Sequence, residues 1–273
     1  MPQQDQPTAG WAVITGASSG LGVIFAEQLA RRGMSLLLAG RDSARLEAVR
    51  DRVKAVATAA DVELFVGDLG ERAGIDALLT RLDGRPVEIL VNNAGFGTYG
   101  PFAEGEQTGE RGMLGVNVDA LTDLARAVLP DMLARGRGGV LNVASLAAYQ
   151  PTPYQAVYGA SKAFVLSLSQ ALWAETRGTG VTVTALCPGP TETGFVAALN
   201  ADVSHVGLYR HLASPERVVR AGLRGMDRGR AVVIPGWRNK VSALAGRLSP
   251  GCASALIAER MLRPEPTLRA TAR

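Results

Sequence analysis

Short, unbroken apolar runs alternate with longer amphipathic stretches along most of the chain, and this alternation limits the possible folds more than any other feature. "WAVITG" (11–16), "MSLLLAG" (34–40), "VELFVG" (62–67), "VEILVNN" (87–93), "GGVLNVAS" (138–145), "VTVTALC" (181–187) and "AVVIPG" (231–236) read as strands. Between them, helical spacing of apolar residues predicts helices over 21–33, 42–56, about 71–82, 108–135, 154–177 and 215–228. Gly33 is a natural stop for the first, and Asp42 and Ser43 are candidate caps for the second. Strands that are apolar throughout belong to a parallel sheet covered on both faces. Right-handed crossovers then give a doubly wound α/β sheet of about seven strands.

No break in composition divides the region 10–236, so it is expected to be one catalytic domain, with a flexible N-terminus over 1–9. A helical tail is expected over 237–273. In it Val241, Leu244, Ala245 and Leu248 fall at helical spacing beside Arg238, Lys240 and Arg247, and "SPG" (249–251) separates a second short helix. Such a helix packs on the body or on a partner subunit; peripheral contact with a membrane surface is the alternative.

The 273 residues are 47% hydrophobic, enough for a sizeable core, and carry a net charge of +4 with no run of like charges. A bound polyanionic cofactor accounts for that excess as well as nucleic acid would, so no nucleic-acid partner is expected. The two cysteines, Cys187 and Cys252, form neither a CxxC pair nor a disulfide framework. The polar start and the lack of a long apolar stretch complete the expectation of a cytoplasmic chain without a membrane span. His205 and His211 have no accompanying carboxylate cluster, and no metal site is expected.

Between the first strand and first helix lies "TGASSGLG" (15–22). Gly16, Gly20 and Gly22 allow a sharp turn and a close backbone approach, and the helix start offers free N–H groups to an anion. Ser18, Ser19 and Leu21 belong to the same turn. At the end of the second strand, where a carboxylate would bind a ribose 2′-OH, the chain has Gly40 and then Arg41. A guanidinium there suits a 2′-phosphate, so NADP(H) is expected ahead of NAD(H).

The motifs "TGASSGLG", "GDL" (67–69), "NNAG" (92–95), Asn117, Ser145, "YGASK" (158–162) and "CPGPTETGF" (187–195) occur in one order. Through them the chain resembles the short-chain dehydrogenase/reductase family, with an end region similar to hydroxysteroid dehydrogenases and 3-ketoacyl reductases. The resemblance covers roughly 10–236. It implies a single-domain Rossmann-type fold and a homodimer or homotetramer paired through the two long helices. It also implies that Asp68 and Leu69 hold adenine, and that Asn92, Ala94 and Gly95 line the adenosine side. Pro188, Gly189, Thr191 and Thr193 would surround the nicotinamide.

Tyr158 and Lys162, four apart on one helix face, can act together. A nearby ammonium favours the phenolate, so the tyrosine could exchange a proton with a carbonyl oxygen. The resemblance adds that Lys162 also holds the nicotinamide ribose, that Ser145 holds the substrate oxygen, and that Asn117 reaches Lys162 through water. It further implies delivery of the pro-S hydride. Phe96, Leu146, Gln150, Tyr154 and Phe195 are expected to line a largely apolar substrate site. Tyr99 would complete that lining, and Val196, Leu199, Val206, Leu208 and Tyr209 would join them in a lid over 190–214. These residues point to an NADPH-dependent reductase of a lipophilic ketone or 3-oxoacyl group. The competing expectation is a non-catalytic dinucleotide sensor or scaffold on the same fold.

Overall fold

A computed structural model describes residues 10–195, 199 and 212–264. Its seven strands are β1 (Trp11–Thr15), β2 (Ser35–Gly40), β3 (Val62–Val66), β4 (Val87–Asn92), β5 (Gly138–Val143), β6 (Val181–Leu186) and β7 (Val232–Val233). All pairings are parallel, in the order β3-β2-β1-β4-β5-β6-β7. The chain starts in the middle of the sheet, winds out to β3, and crosses back to β4. That reversal opens a crevice beyond the carboxyl ends of β1 and β4.

Ala12, Val13 and Ile14 are all fully buried, because Ala12 and Ile14 enter one core and Val13 the other. Helices α1 (Gly20–Ala30), α2 (Ser43–Val56) and α7 (Pro215–Asp227) pack against one face of the sheet. Helices α3 (Arg72–Leu82), α4 (Gln107–Leu114), α5 (Leu121–Arg135) and α6 (Ala156–Glu175) pack on the other. Asp42 does cap α2, its Oδ1 accepting from the Arg45 N–H at 3.0 Å.

The helix expected over 108–135 is not continuous. A π-helical stretch, Gly115–Ala120, separates α4 from α5. Gly115 passes so close to the Gly70 carbonyl that a Cβ there would lie 2.6 Å from its oxygen. The wider turn places Asn117 fully inside the protein. The last strand is also shorter than the expected 231–236, since Pro235 lacks an N–H and Gly236 turns away at φ +87°.

Two further helices, α8 (Trp237–Leu248) and α9 (Gly251–Leu262), follow the sheet, divided at Pro250. Of the contacts expected for α8, packing of its apolar stripe on the body does not occur. Val241, Leu244 and Leu248 are 59%, 57% and 74% exposed, while Ala243 is buried. Small residues face the body because the approach is tight: a Cβ on Gly246 would lie 3.0 Å from the Tyr149 carbonyl oxygen. The N-terminal segment 1–9 and Val196, His205, Val206, Leu208, Tyr209 and His211 lie outside the described residues.

Candidate active site

The turn after β1 is shaped by its glycines. Gly16 has φ +63°, and a Cβ on it would sit 2.8 Å from the Ala94 Cα. A Cβ on Gly22 would collide with the Gly16 carbonyl, so glycine there lets α1 start against the turn. Ser19 caps α1 without a side-chain bond, which leaves backbone N–H groups directed at the crevice. Thr15 fastens the neighbouring loop: its Oγ1 accepts from the N–H groups of Asn93 and Ala94, both at 3.0 Å.

One cavity of about 1190 Å³ runs from this turn across the sheet edge to the C-terminal helices. At the turn end it is lined by Gly16, Ser18, Ser19, Gly20 and Leu21, by Arg41, and by Asp68 and Leu69. Further along come Ala94, Gly95, Phe96, Ser145, Leu146, Gln150, Tyr158, Lys162, Pro188, Gly189, Thr191, Thr193 and Phe195. Arg41 is 68% exposed at the side chain and lies 3.6 Å from the Asp68 carboxylate. A phosphate bound there would meet an available guanidinium. The cradle that added Cβ atoms would fill, the free helix start and Arg41 together fit a phosphorylated dinucleotide.

Among the described residues, six of those singled out for the site do not reach the cavity: Gly22, Asn92, Tyr99, Asn117, Tyr154 and Leu199. Gly22 packs behind the turn, as described. Asn92 is a sheet fastener: its Nδ2 donates to Asn142 Oδ1 at 2.9 Å and to the Leu121 carbonyl at 3.2 Å. Asn117 donates to the Phe96 carbonyl at 3.1 Å and to Ser161 Oγ at 3.0 Å, and its Oδ1 accepts from the Phe96 N–H at 3.2 Å. It therefore ties the loop after β4 to α6. Gly95 lies between it and the lysine: a Cβ there would be 2.8 Å from Asn117 Oδ1 and 3.2 Å from Lys162 Nζ.

Tyr154 does not line the cavity but holds the tail. Its hydroxyl donates to Glu259 Oε1 at 2.8 Å, which raises its phenol above the usual range. Its backbone stands at φ +64°, with its carbonyl accepting from the Gly100 N–H at 2.8 Å. Tyr99 acts beside it, donating to the Leu262 carbonyl at 2.6 Å. Leu199 is buried in the same cluster.

Ser145 lies two residues beyond β5 and caps the 3₁₀ turn Leu146–Tyr149, its Oγ accepting from the Ala147 N–H at 3.1 Å. Tyr158 and Lys162 are 8% and 5% exposed, and the Lys162 Nζ lies 5.8 Å from the Tyr158 ring centroid. Phe195 packs on the tyrosine with ring centroids 5.3 Å apart. Lys162 Nζ donates to the Val143 carbonyl at 2.9 Å. Burial lowers its ammonium to about 8. A thiolate at Cys187 would oppose that fall, but burial pushes the Cys187 thiol up to about 12. At neutral pH the thiol is uncharged, so burial governs the lysine. Cys187 is thus the small buried side chain its position suggests, and the Tyr149 phenol against it is likewise raised by burial.

Of "YGASK", Gly159 does not face the cavity: a Cβ there would collide with Thr152 Oγ1. Ala160 is exposed, and Ser161 is the partner of Asn117.

Sequence reasoning missed several lining residues. Ser43 and Arg45 stand in the first turn of α2 beside Arg41, and the four-residue step from Arg41 to Arg45 was a usable signal. Ser242, Ala245 and Gly246 of α8 and Ser249 just after it, with Ser254, Ile257, Ala258 and Met261 of α9, form one wall of the cavity. No local pattern marks them, because their place depends on how the tail folds back.

A family model described as short chain dehydrogenase matches residues 10–204. A very-long-chain 3-oxoacyl-CoA reductase of Anas platyrhynchos is 33% identical over 219 residues, which are 78% of this chain and 67% of that protein. A short-chain dehydrogenase from Sphingobium yanoikuyae, solved in complex with NADPH, superposes with a TM-score of 0.78 at 34% identity, covering 97% of this chain and 98% of the other. The bulky-bulky ketone specific alcohol dehydrogenase from Comamonas testosteroni gives a TM-score of 0.74 at 31% identity, over 88% of this chain and 93% of that one.

Proposed function

The chain belongs to the short-chain dehydrogenase family, and from that premise we propose that it is an NADPH-dependent reductase of bulky, lipophilic ketones or 3-oxoacyl groups. The observation that carries the proposal is the continuous cavity joining the glycine turn and Arg41 to Ser145, Tyr158 and Lys162. When bound, NADPH supplies the hydride for the carbonyl carbon; the protein supplies position and a proton. Arg41 and Arg45, with the Ser18 hydroxyl, favour a 2′-phosphate over a bare ribose. The NADPH found in the Sphingobium relative agrees with this preference.

In this reading Ser145 Oγ donates to the substrate oxygen, and the Tyr158 hydroxyl releases its proton to that oxygen as the alcohol forms. The Lys162 ammonium favours the phenolate that remains, and it holds the nicotinamide ribose. Asn117 is a positioning residue that fixes the Phe96 backbone and α6. Phe96, Phe195, Leu146, Ile257 and Met261 give the substrate end an apolar lining suited to a large hydrophobic ketone. That lining agrees with the substrate named for the Comamonas relative. The outer faces of α4 to α6, where Leu114, Leu133 and Phe164 are open to solvent, suit pairing into a homodimer or homotetramer.

A panel of aliphatic, aromatic and steroid ketones and 3-oxoacyl thioesters, assayed with NADPH and with NADH, tests the assignment. Turnover is expected with NADPH on the larger substrates. Tyr158→Phe is expected to lose about 10²- to 10⁴-fold in kcat while still binding NADPH. Unchanged turnover in that variant refutes the proton-donor role.

A further inference from the structure

Helices α8 and α9 leave large apolar side chains open to solvent. Trp237, Val241, Leu244 and Leu248 of α8 are 71%, 59%, 57% and 74% exposed, and Leu256 of α9 is 67% exposed. The four on α8 recur at steps of four, three and four, which confines them to an arc of about 60° on one helix face. The opposite face, with Ala243 and Gly246, is the one seated on the body. By the same spacing Lys240 and Arg247 border the stripe on one side and Arg238 on the other. The Arg238 guanidinium lies 5.6 Å from the Trp237 ring centroid.

Charge is divided just as unevenly. Residues 237–273 carry seven Lys and Arg against two Asp and Glu, whereas residues 1–236 carry 22 against 23. The excess positive charge of the whole chain therefore lies in its C-terminal segment. One of the two acids there, Glu259, is already held by Arg263 and Tyr154.

We propose that this face of α8 docks on an anionic lipid bilayer. The stripe from Trp237 to Leu248 enters the boundary between headgroups and acyl chains, and Arg238, Lys240 and Arg247 meet the anionic headgroups. A second copy of the chain is the poorer occupant, because a two-fold interface would set this basic border against itself. A polyphosphate would pair with the arginines but leave the apolar stripe in water. The contact is peripheral: among the described residues no helix is long and apolar enough to cross a membrane. Ile257 and Met261 of the neighbouring helix, 60% and 55% exposed, also line the cavity. The docking itself does not depend on the redox reading, and its test uses no substrate.

The full chain is sedimented with vesicles of phosphatidylcholine alone and with vesicles containing about 30% phosphatidylserine. Binding is expected on the anionic vesicles, weakened about 10-fold or more on phosphatidylcholine alone or in high salt. The double variant Leu244→Glu/Leu248→Glu is expected to lose about 10-fold or more in vesicle affinity while keeping its NADPH affinity and thermal midpoint. A second variant, Arg238→Gln/Lys240→Gln/Arg247→Gln, leaves the stripe intact and is expected to lose only the preference for phosphatidylserine. Absence of binding to the anionic vesicles, or equal binding by the Glu double variant, overturns the proposal. So does an oligomer in sedimentation velocity that the Glu double variant dissolves, since a second copy would then cover the face.

Discussion

Replacing Lys162 by methionine tests whether a charged group is held in the cavity against its own burial. The side chain is 5% exposed, and burial lowers its ammonium from the ordinary 10.5 to about 8. Between those two values the folded protein binds fewer protons than the unfolded chain, so stability rises with pH across the window. Below pH 8 the whole penalty for burying the charge is present; above 10.5 it has gone. The gap of about 2.5, at 1.36 kcal/mol for each pH unit, amounts to about 3 kcal/mol. Methionine is of similar length and carries no charge. It also forfeits the 2.9 Å bond to the Val143 carbonyl, which costs roughly 1–3 kcal/mol at either pH. That offset cancels when two pH values are compared. Urea unfolding of both proteins at about pH 7 and about pH 10.5 is the assay. The wild-type advantage over Lys162→Met is expected to grow by about 3 kcal/mol at the higher pH. A difference that stays constant within about 1 kcal/mol refutes the reasoning, because burial would then not be disfavouring the ammonium.

The same proton has a kinetic signature: kcat/KM for NADPH-driven reduction should fall as pH rises through about 8, where Lys162 loses its charge, and a flat profile from about pH 7 to 9 contradicts the role given to the lysine. Arg41→Ala should weaken NADPH binding about 10- to 100-fold and leave NADH binding unchanged, as read by fluorescence titration. Asn117→Ala removes three hydrogen bonds and leaves the partly buried Phe96 backbone groups without those partners; the unfolding free energy should drop by about 3 kcal/mol in chemical denaturation. Tyr154→Phe releases Glu259 from the latch on α9; KM for the carbonyl substrate should rise while the NADPH Kd stays fixed.

Most of the glycine turn and of the candidate catalytic set was legible in the sequence because each feature is local. A strand, a turn that requires Gly16 at positive φ, and a tyrosine and lysine one helical turn apart all lie within a few residues of one another. Asn117 was legible as a residue but not as a geometry. Its burial depends on the π-helical stretch, which forms where Gly115 must pass the Gly70 backbone, 45 positions away in the chain. Tyr154 was misplaced for a similar reason: an aromatic beside the site looks like lining, and only its bond to Glu259 in the last helix shows that it holds the tail. The stripe on α8 was legible as one face, with the body, a partner subunit or a membrane surface as its expected contacts; the structure turns it away from the body. Periodicity identifies an apolar face but not what it touches. Close approach of Gly246 to the Tyr149 carbonyl leaves no room there for a large side chain.

By itself the sequence determined the parallel α/β sheet, the dinucleotide turn and the spacing of the tyrosine and lysine, because hydrophobic period, glycine placement and helical pitch are properties of neighbouring residues. The tertiary structure alone decided that the tail walls one end of the cavity, that its apolar stripe faces outward, and that Lys162 is buried enough to lower its proton affinity. Those outcomes depend on distances between segments far apart in the chain, and on the water that their packing excludes.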